Sequence, residues 1–161
     1  RKEEGLILDF DIKENFVIPS LKNFLKGVVV QELQISNVID SYIKSLNIRT
    51  SGRDQKIKNL SGGNQQKVVF AKWLETNPKI LILDEPTRGV DVGAKKEIYE
   101  VISDLKKQGV AIILVSSELA EVIGVADRVA VIHNQKLVKI YEGKNITQEE
   151  VLKTAFLGGA E

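Results

Sequence analysis

From Leu33 to Leu46 the apolar residues Leu33, Ile35, Val38, Ile39, Tyr42, Ile43 and Leu46 recur at helical intervals, which predicts an amphipathic helix. Ahead of it, residues 6 to 8 are apolar, and Asp11 to Phe16 reads as a short helical start stopped near Pro19. Proline lacks the N–H a helix needs and restricts the residue before it. Residues 1 to 58 therefore read as mostly helical, with little strand signal, and close in a polar loop from Thr50 to Lys58. The period then changes. Asn64 to Glu75 predicts a helix whose inner face holds Val68, Val69, Ala71, the stem of Lys72 and Leu74, ended by Asn77-Pro78. Ile80 to Leu83 is an aliphatic run too short for a helix and is expected as a strand buried on both faces. Ala94 to Gln108 is a helix with Ile98, Val101, Ile102 and Leu105 on one side, and Val110 to Val115 is a second apolar strand. Strand, helix and strand in this order imply a parallel pair with a right-handed connection. A short helix (Glu118 to Val125), a strand (Arg128 to Ile132), a turn at Asn134-Gln135 and a return strand (Lys136 to Tyr141) follow. Thr147 with Glu150 is a capping box that starts one more helix, and the chain closes on Gly158-Gly159. The fold class is α/β, with a parallel sheet core and a helical part on its N-terminal side.

Composition narrows the partners. At 161 residues the chain is the size of one domain. Its 23 basic and 22 acidic residues nearly cancel, and no basic run is interleaved with aromatics, so nucleic acid is not an expected partner. Without cysteine there is neither a disulfide nor a thiolate site, and the lone His133, placed on a turn after a strand, makes no histidine cluster. No apolar stretch approaches the roughly 20 residues of a spanning helix, so a soluble chain is expected. The missing methionines and the charged start Arg1-Lys2-Glu3-Glu4 suggest a piece of something longer.

The chemistry lies in two runs. Leu60-Ser61-Gly62-Gly63-Asn64-Gln65-Gln66-Lys67 is a glycine-rich turn feeding a helix. Its free N–H groups, its positive dipole end and the Ser61 hydroxyl suit a phosphate, and glycine lets the backbone come close. Ile80-Leu81-Ile82-Leu83-Asp84-Glu85-Pro86-Thr87 is a strand that delivers two carboxylates to its C-terminal end, where α/β sheets bind ligands. Asp84 is assigned to hold Mg²⁺ through water, and Glu85 to orient or deprotonate an attacking water. A nucleotide site also needs a G-x-x-x-x-G-K-[ST] loop. None is present, and Gly89-Val90-Asp91-Val92-Gly93-Ala94-Lys95 has the wrong spacing and lacks the hydroxyl.

Order and wording of these runs resemble the signature and Walker B motifs of ATP-binding cassette (ABC) proteins. Leu60 to Lys67 is similar to the signature, with Asn64 where many members have Gln; Asp84 and Glu85 resemble the Walker B Asp and the catalytic Glu; Asp91 falls at the D-loop Asp. Ser117 stands at the switch His, where a hydroxyl cannot act as a cation or proton shuttle. The wording through Thr87 to Lys95 and Val115-Ser116-Ser117-Glu118-Leu119 resembles, more narrowly, the C-terminal cassette of the fused ATPases of bacterial ribose- and galactose-type sugar importers. The resemblance implies a partial ABC-type nucleotide-binding domain, with residues 1–58 as helical subdomain and 59–161 as signature helix plus C-terminal core. The Walker A and Q-loop region would lie upstream of Arg1. It further implies ATP and Mg²⁺ as cofactors, with Ser61, Gly62, Gly63, Asn64 and Asp91 on nucleotide, Asp84 on metal, and Glu85 and Ser117 in catalysis. The implied partners are a second cassette, a membrane permease and, indirectly, a sugar-binding protein, at the cytoplasmic face of the membrane. Self-association through an open sheet edge is a further expectation. An ABC ATPase acting on DNA or ribosomes would show coiled-coil insertions or basic linkers, and neither appears. A catalytically silent dimerisation module is the alternative for a chain without Walker A. Trp73 is assigned to packing, and Lys67, Arg53 and Lys56 to a solvated face.

Overall fold

The computed structural model describes residues 5–143 and 145–158; the charged start at 1–4 and the final Gly159 fall outside them. The chain divides into two compact units, Arg1–Leu81 with Pro86–Ala111, and Ile82–Glu85 with Ile112–Glu161.

The first unit is helical. Asp11 caps α1 (Ile12–Val17) in a reciprocal box: its carboxylate accepts from the Glu14 N–H at 2.7 Å, and Glu14 accepts from the Asp11 N–H at 2.8 Å. Buried Asn15 bonds both the N–H and the C=O of Ile7, at 2.8 and 2.9 Å, pinning the apolar segment before the helix. A 3₁₀ turn (Leu21–Phe24) leads into two strands absent from the sequence reading, β1 (Leu25–Lys26) and β2 (Val29–Val30), an antiparallel hairpin. Two residues per strand are too few to show a period of two, and the only local signal is Gly27, at φ 64. Helix α2 (Glu32–Ser45) buries Ile35 and Ile39, but Leu33 lies off that stripe and is exposed. Phe16 joins the helices through Phe24 and Tyr42, with ring centroids 6.4 and 5.4 Å away.

After the 3₁₀ turn Ile57–Asn59, helix α3 (Gly62–Leu74) is buried almost all round. Two expectations fail on it. Lys67 is 2% exposed rather than solvated, and Trp73 is 46% exposed rather than packed in a core. The reason is rotational: residue 67 lies one turn beyond Gly63, on the side facing α4 (Val92–Lys107), whereas Trp73 points outward beside the Lys72 ammonium, 5.6 Å from its ring. Phe70 is buried while Leu74 is only half-buried.

Strand β3 (Ile80–Asp84) pairs with β4 (Ala111–Val115). The pair is parallel: the Ala111 N–H reaches Lys79 O at one end, and the Glu85 N–H reaches Val115 O at the other. Burial on both faces of β3 is not observed. Leu81 and Leu83 are buried, but Ile82 is 67% exposed and Ile80, Ile113 and Val115 are exposed as well, since among the described residues nothing covers that face and each strand has one neighbour.

In the second unit α5 (Leu119–Val125) and α6 (Gln148–Leu157) pack with the hairpin of β5 (Arg128–His133) and β6 (Lys136–Glu142). Its core is Val129, Val131 and Val151, ringed by Leu119, Val122, Ile123 and Tyr141. The strand expected at Arg128 to Ile132 is present as β5 and alternates, with Val129 and Val131 inward. His133 is half-buried rather than a surface residue, because its Nδ1 lies 2.7 Å from the Ala155 carbonyl of α6. Thr147 and Glu150 form the expected capping box. No helix among the described residues is long and apolar enough to cross a membrane.

Candidate functional site

Two helix N-termini meet in the first unit. Ser61 caps α3: its Oγ accepts from the Asn64 N–H at 3.5 Å and from Asn64 Nδ2 at 2.9 Å. Both contacts use the hydroxyl as acceptor, which leaves its proton to donate. Asp91 caps α4 in the same way, accepting from the Ala94 N–H at 3.0 Å. Between the caps lies a shallow cavity of about 140 Å³, lined by Ser61, Gly63, Asn64, Asp91, Gly93, Ala94, Arg49 and Glu97. The structure thus gathers Ser61, Gly63, Asn64 and Asp91 around one cavity, with Gly62 as the first residue of α3.

Gly63 has a packing reason of its own. A Cβ there would stand 2.6 Å from the Ala94 Cβ and 3.6 Å from Val90 Cγ1, so only glycine lets α3 and α4 approach this closely. The loop before Ser61 is held by Gln65, whose amide donates to the Ile57 and Leu60 carbonyls at 3.1 and 3.2 Å. Sequence reasoning missed Arg49 and Glu97. Glu97 sits one helical turn beyond Ala94, a spacing that could have placed it on that face; nothing local marks Arg49. The Lys67 ammonium beside Glu97 holds that carboxyl below its ordinary value of 4.5, with Arg49 adding to the effect.

The carboxylate pair belongs to the second unit. Asp84 is exposed at the C-terminal end of β3. Glu85 follows with φ 47, a left-handed conformation unusual for a residue other than glycine, which turns its side chain away from the strand direction. Both its carboxylate oxygens are engaged by Ser117, one accepting from the backbone N–H at 2.7 Å and the other from Oγ at 3.2 Å. The structure therefore brings Glu85 and Ser117 together. The false phosphate loop at Gly89–Lys95 is instead a turn and a helix start, with Val90 buried and Asp91 as cap. Among the described residues no three His, Cys, Asp or Glu side chains cluster to hold a metal.

A sequence profile described as ABC transporter matches residues 5–88. The chain belongs to the ABC transporter family. Its relatives include the ribose import ATP-binding protein RbsA of Geobacillus kaustophilus (strain HTA426), 54% identical over 96% of this chain, and that of Lactococcus lactis subsp. cremoris (strain SK11), 48% identical over 96%. This ABC chain spans 31% and 32% of the length of those two relatives. Among solved structures it is similar to the ADP conformation of the ATP-binding cassette MJ1267, with a TM-score of 0.71 and 23% identity over 92% of this chain and 59% of that one. It is also similar to the dimeric, post-hydrolysis ATP-binding cassette MJ0796 bound to ADP and Pi, with a TM-score of 0.72 and 22% identity over 88% of this chain and 60% of that one. Those likenesses establish the fold: a partial ABC cassette, α/β, with a parallel strand pair and a helical part ahead of it.

Proposed function

We propose that this chain is part of the ATP-hydrolysing subunit of a bacterial sugar importer, contributing the signature turn, the Walker B carboxylates, the D-loop and the switch region of its C-terminal cassette. The observation that carries this is the cavity between the capped N-termini of α3 and α4, supported by the similarity to ribose import ATP-binding proteins. Residues 1–58 would form the helical subdomain facing the permease, and 59–161 the signature helix and C-terminal core.

The donor set fits a phosphate and a magnesium ion. Two helix N-termini aim partial positive charge at one cavity, and the Ser61 proton is available to a phosphate oxygen. Magnesium takes one or two carboxylates and completes its shell with phosphate and water, so an exposed Asp84 would suffice to hold it, and the ion would supply charge neutralisation at the transferred phosphoryl group. Ser61, Gly62 and Gly63 clamp ATP held by the partner cassette and fix its orientation. Asp91 borders the same cavity. Glu85 orients the attacking water, and Ser117 holds the Glu85 carboxylate through two hydrogen bonds. With a hydroxyl in place of an imidazole at position 117, this cassette's own site binds ATP more than it hydrolyses it. The partners are a second cassette, a permease and indirectly a sugar-binding protein, at the cytoplasmic membrane face. The uncovered edge of the β3–β4 pair supports self-association of the chain on its own.

Steady-state hydrolysis in the full-length importer tests the assignment. Ser61→Ala or Gly62→Ala is expected to lower transport ATPase more than Glu85→Gln does. The opposite ranking would overturn the asymmetry, and no effect of Ser61→Ala would overturn the clamp.

A further inference from the structure

Lys67 is the most deeply buried charge among the described residues of the helical unit and is committed on two sides. Its Nζ donates to the Asn47 carbonyl at 2.8 Å and to Glu97 Oε2 on α4. Asn47 is at φ 49, and that left-handed turn precedes Arg49, which returns to the signature end of α3. There the Arg49 N–H donates to Asn64 Oδ1 at 2.9 Å, and Asn64 Nδ2 donates to Ser61 Oγ at 2.9 Å. The Arg49 guanidinium closes the ring, 3.6 Å from the other oxygen of Glu97.

We infer that Lys67 and Glu97 are positioning residues for the signature hydroxyl: together they fix the 47–49 turn and the α3–α4 spacing, and through Asn64 they hold the Ser61 oxygen in its cavity-facing orientation. Three geometric facts converge on this. Gly63 and Ala94 are in such close approach that a Cβ at position 63 would stand 2.6 Å from the Ala94 Cβ. Lys67 and Glu97 sit one turn further along the same two helices, so the ion pair locks the rotation that the glycine contact leaves open. The route from the pair to Ser61 runs through the 47–49 backbone and hydrogen bonds of ordinary length. Lys67 does not line the cavity, and Glu97 borders it from α4. The pair joins the Ser61 turn to the Asp91 cap, so both sides of the cavity move as one piece.

The inference rests on the proposed clamp, and the experiment separates the two. In the full-length ATPase, Glu97→Gln, Lys67→Met and Lys67→Arg are measured beside Ser61→Ala, with kcat and KM for Mg-ATP scaled to folded protein and a melting curve for each. A positioning role is expected to lower kcat about tenfold in Glu97→Gln and Lys67→Met with KM within about twofold, and Lys67→Arg to restore most of it. Should Lys67→Met fail to fold, Glu97→Gln decides, since it keeps the Lys67 contacts to Asn47 and an amide oxygen. If kcat per folded molecule stays within about twofold of the parent in Glu97→Gln while Ser61→Ala abolishes activity, the pair only holds the fold and the inference is overturned with the clamp intact. If Ser61→Ala is itself without effect, the clamp fails, and the positioning inference with it.

Discussion

At the scale of single residues, what a side chain lacks matters as much as what it carries. Gly63→Ala places a methyl 2.6 Å from Ala94 Cβ, on a helix that has little room to retreat. Overpacking of this kind is expected to cost about 1–3 kcal/mol, read as a fall in the denaturation midpoint, and Ala94→Gly in the same chain should recover most of it. The charge on Glu97 gives a second expectation. Its pKa is depressed in the folded state, chiefly by the hydrogen bond from Lys67, so its contribution is present above the ordinary value of 4.5 and is lost as pH falls through the lower folded value. Acid unfolding curves of the parent and Glu97→Gln should therefore converge below that value and differ above it; parallel curves throughout would contradict the ion pair. Ser61 and Gly63 were legible as part of a candidate site because glycine and a short hydroxyl are the residue types that a helix start demands, whereas Asn64 and Asp91 entered only through the family resemblance. Arg49 was not legible, since it reaches the cavity by a turn whose closure is distant in sequence.

At the scale of elements, capping and periodicity identified the helices well and the strands less well. The box at Asp11 and Glu14, the box at Thr147 and Glu150 and the stripe through Ile35 and Ile39 are local patterns with local causes. Thr147→Ala is expected to cost about 1 kcal/mol by freeing the first amides of α6, measurable by thermal melting. The hairpin turn is Asn134-Gln135, with φ of 47 and 62, a pairing that glycine at the second position accommodates better. Gln135→Gly is expected to stabilise the hairpin by about 0.5–1 kcal/mol, and a lower melting temperature would rule that out. Tyr42 on α2 reports on the helical unit. Burial, with Glu75 as the nearer charge, pushes its hydroxyl up to about 12. The folded state thus holds its proton longer than the unfolded one, and this part of the stability is lost as pH rises from about 10 toward 12; Tyr42→Phe should remove that part of the alkaline slope.

At the scale of the whole molecule, the chemistry is divided. The cavity between the caps of α3 and α4 lies in one compact unit, and Asp84, Glu85 and Ser117 lie in the other. With no G-x-x-x-x-G-K-[ST] loop in the chain, Mg-ATP binding by these 161 residues alone is expected to be undetectable by calorimetry and to appear when the sequence is extended to the length of its relatives. Tight binding by the chain alone would show that another group holds the phosphate. What the sequence by itself determined is everything whose cause is local: the α/β alternation, the helix starts, the two motif runs and the family they indicate, because caps, turns and periodicity act over a few residues. Only the tertiary structure decided that Lys67 is buried against Glu97, that Gly63 is needed for helix packing, that β3 shows one bare face, and that Ser117 holds Glu85. Those outcomes depend on which surfaces meet, and contacts between residues distant in the chain leave no periodic trace along it.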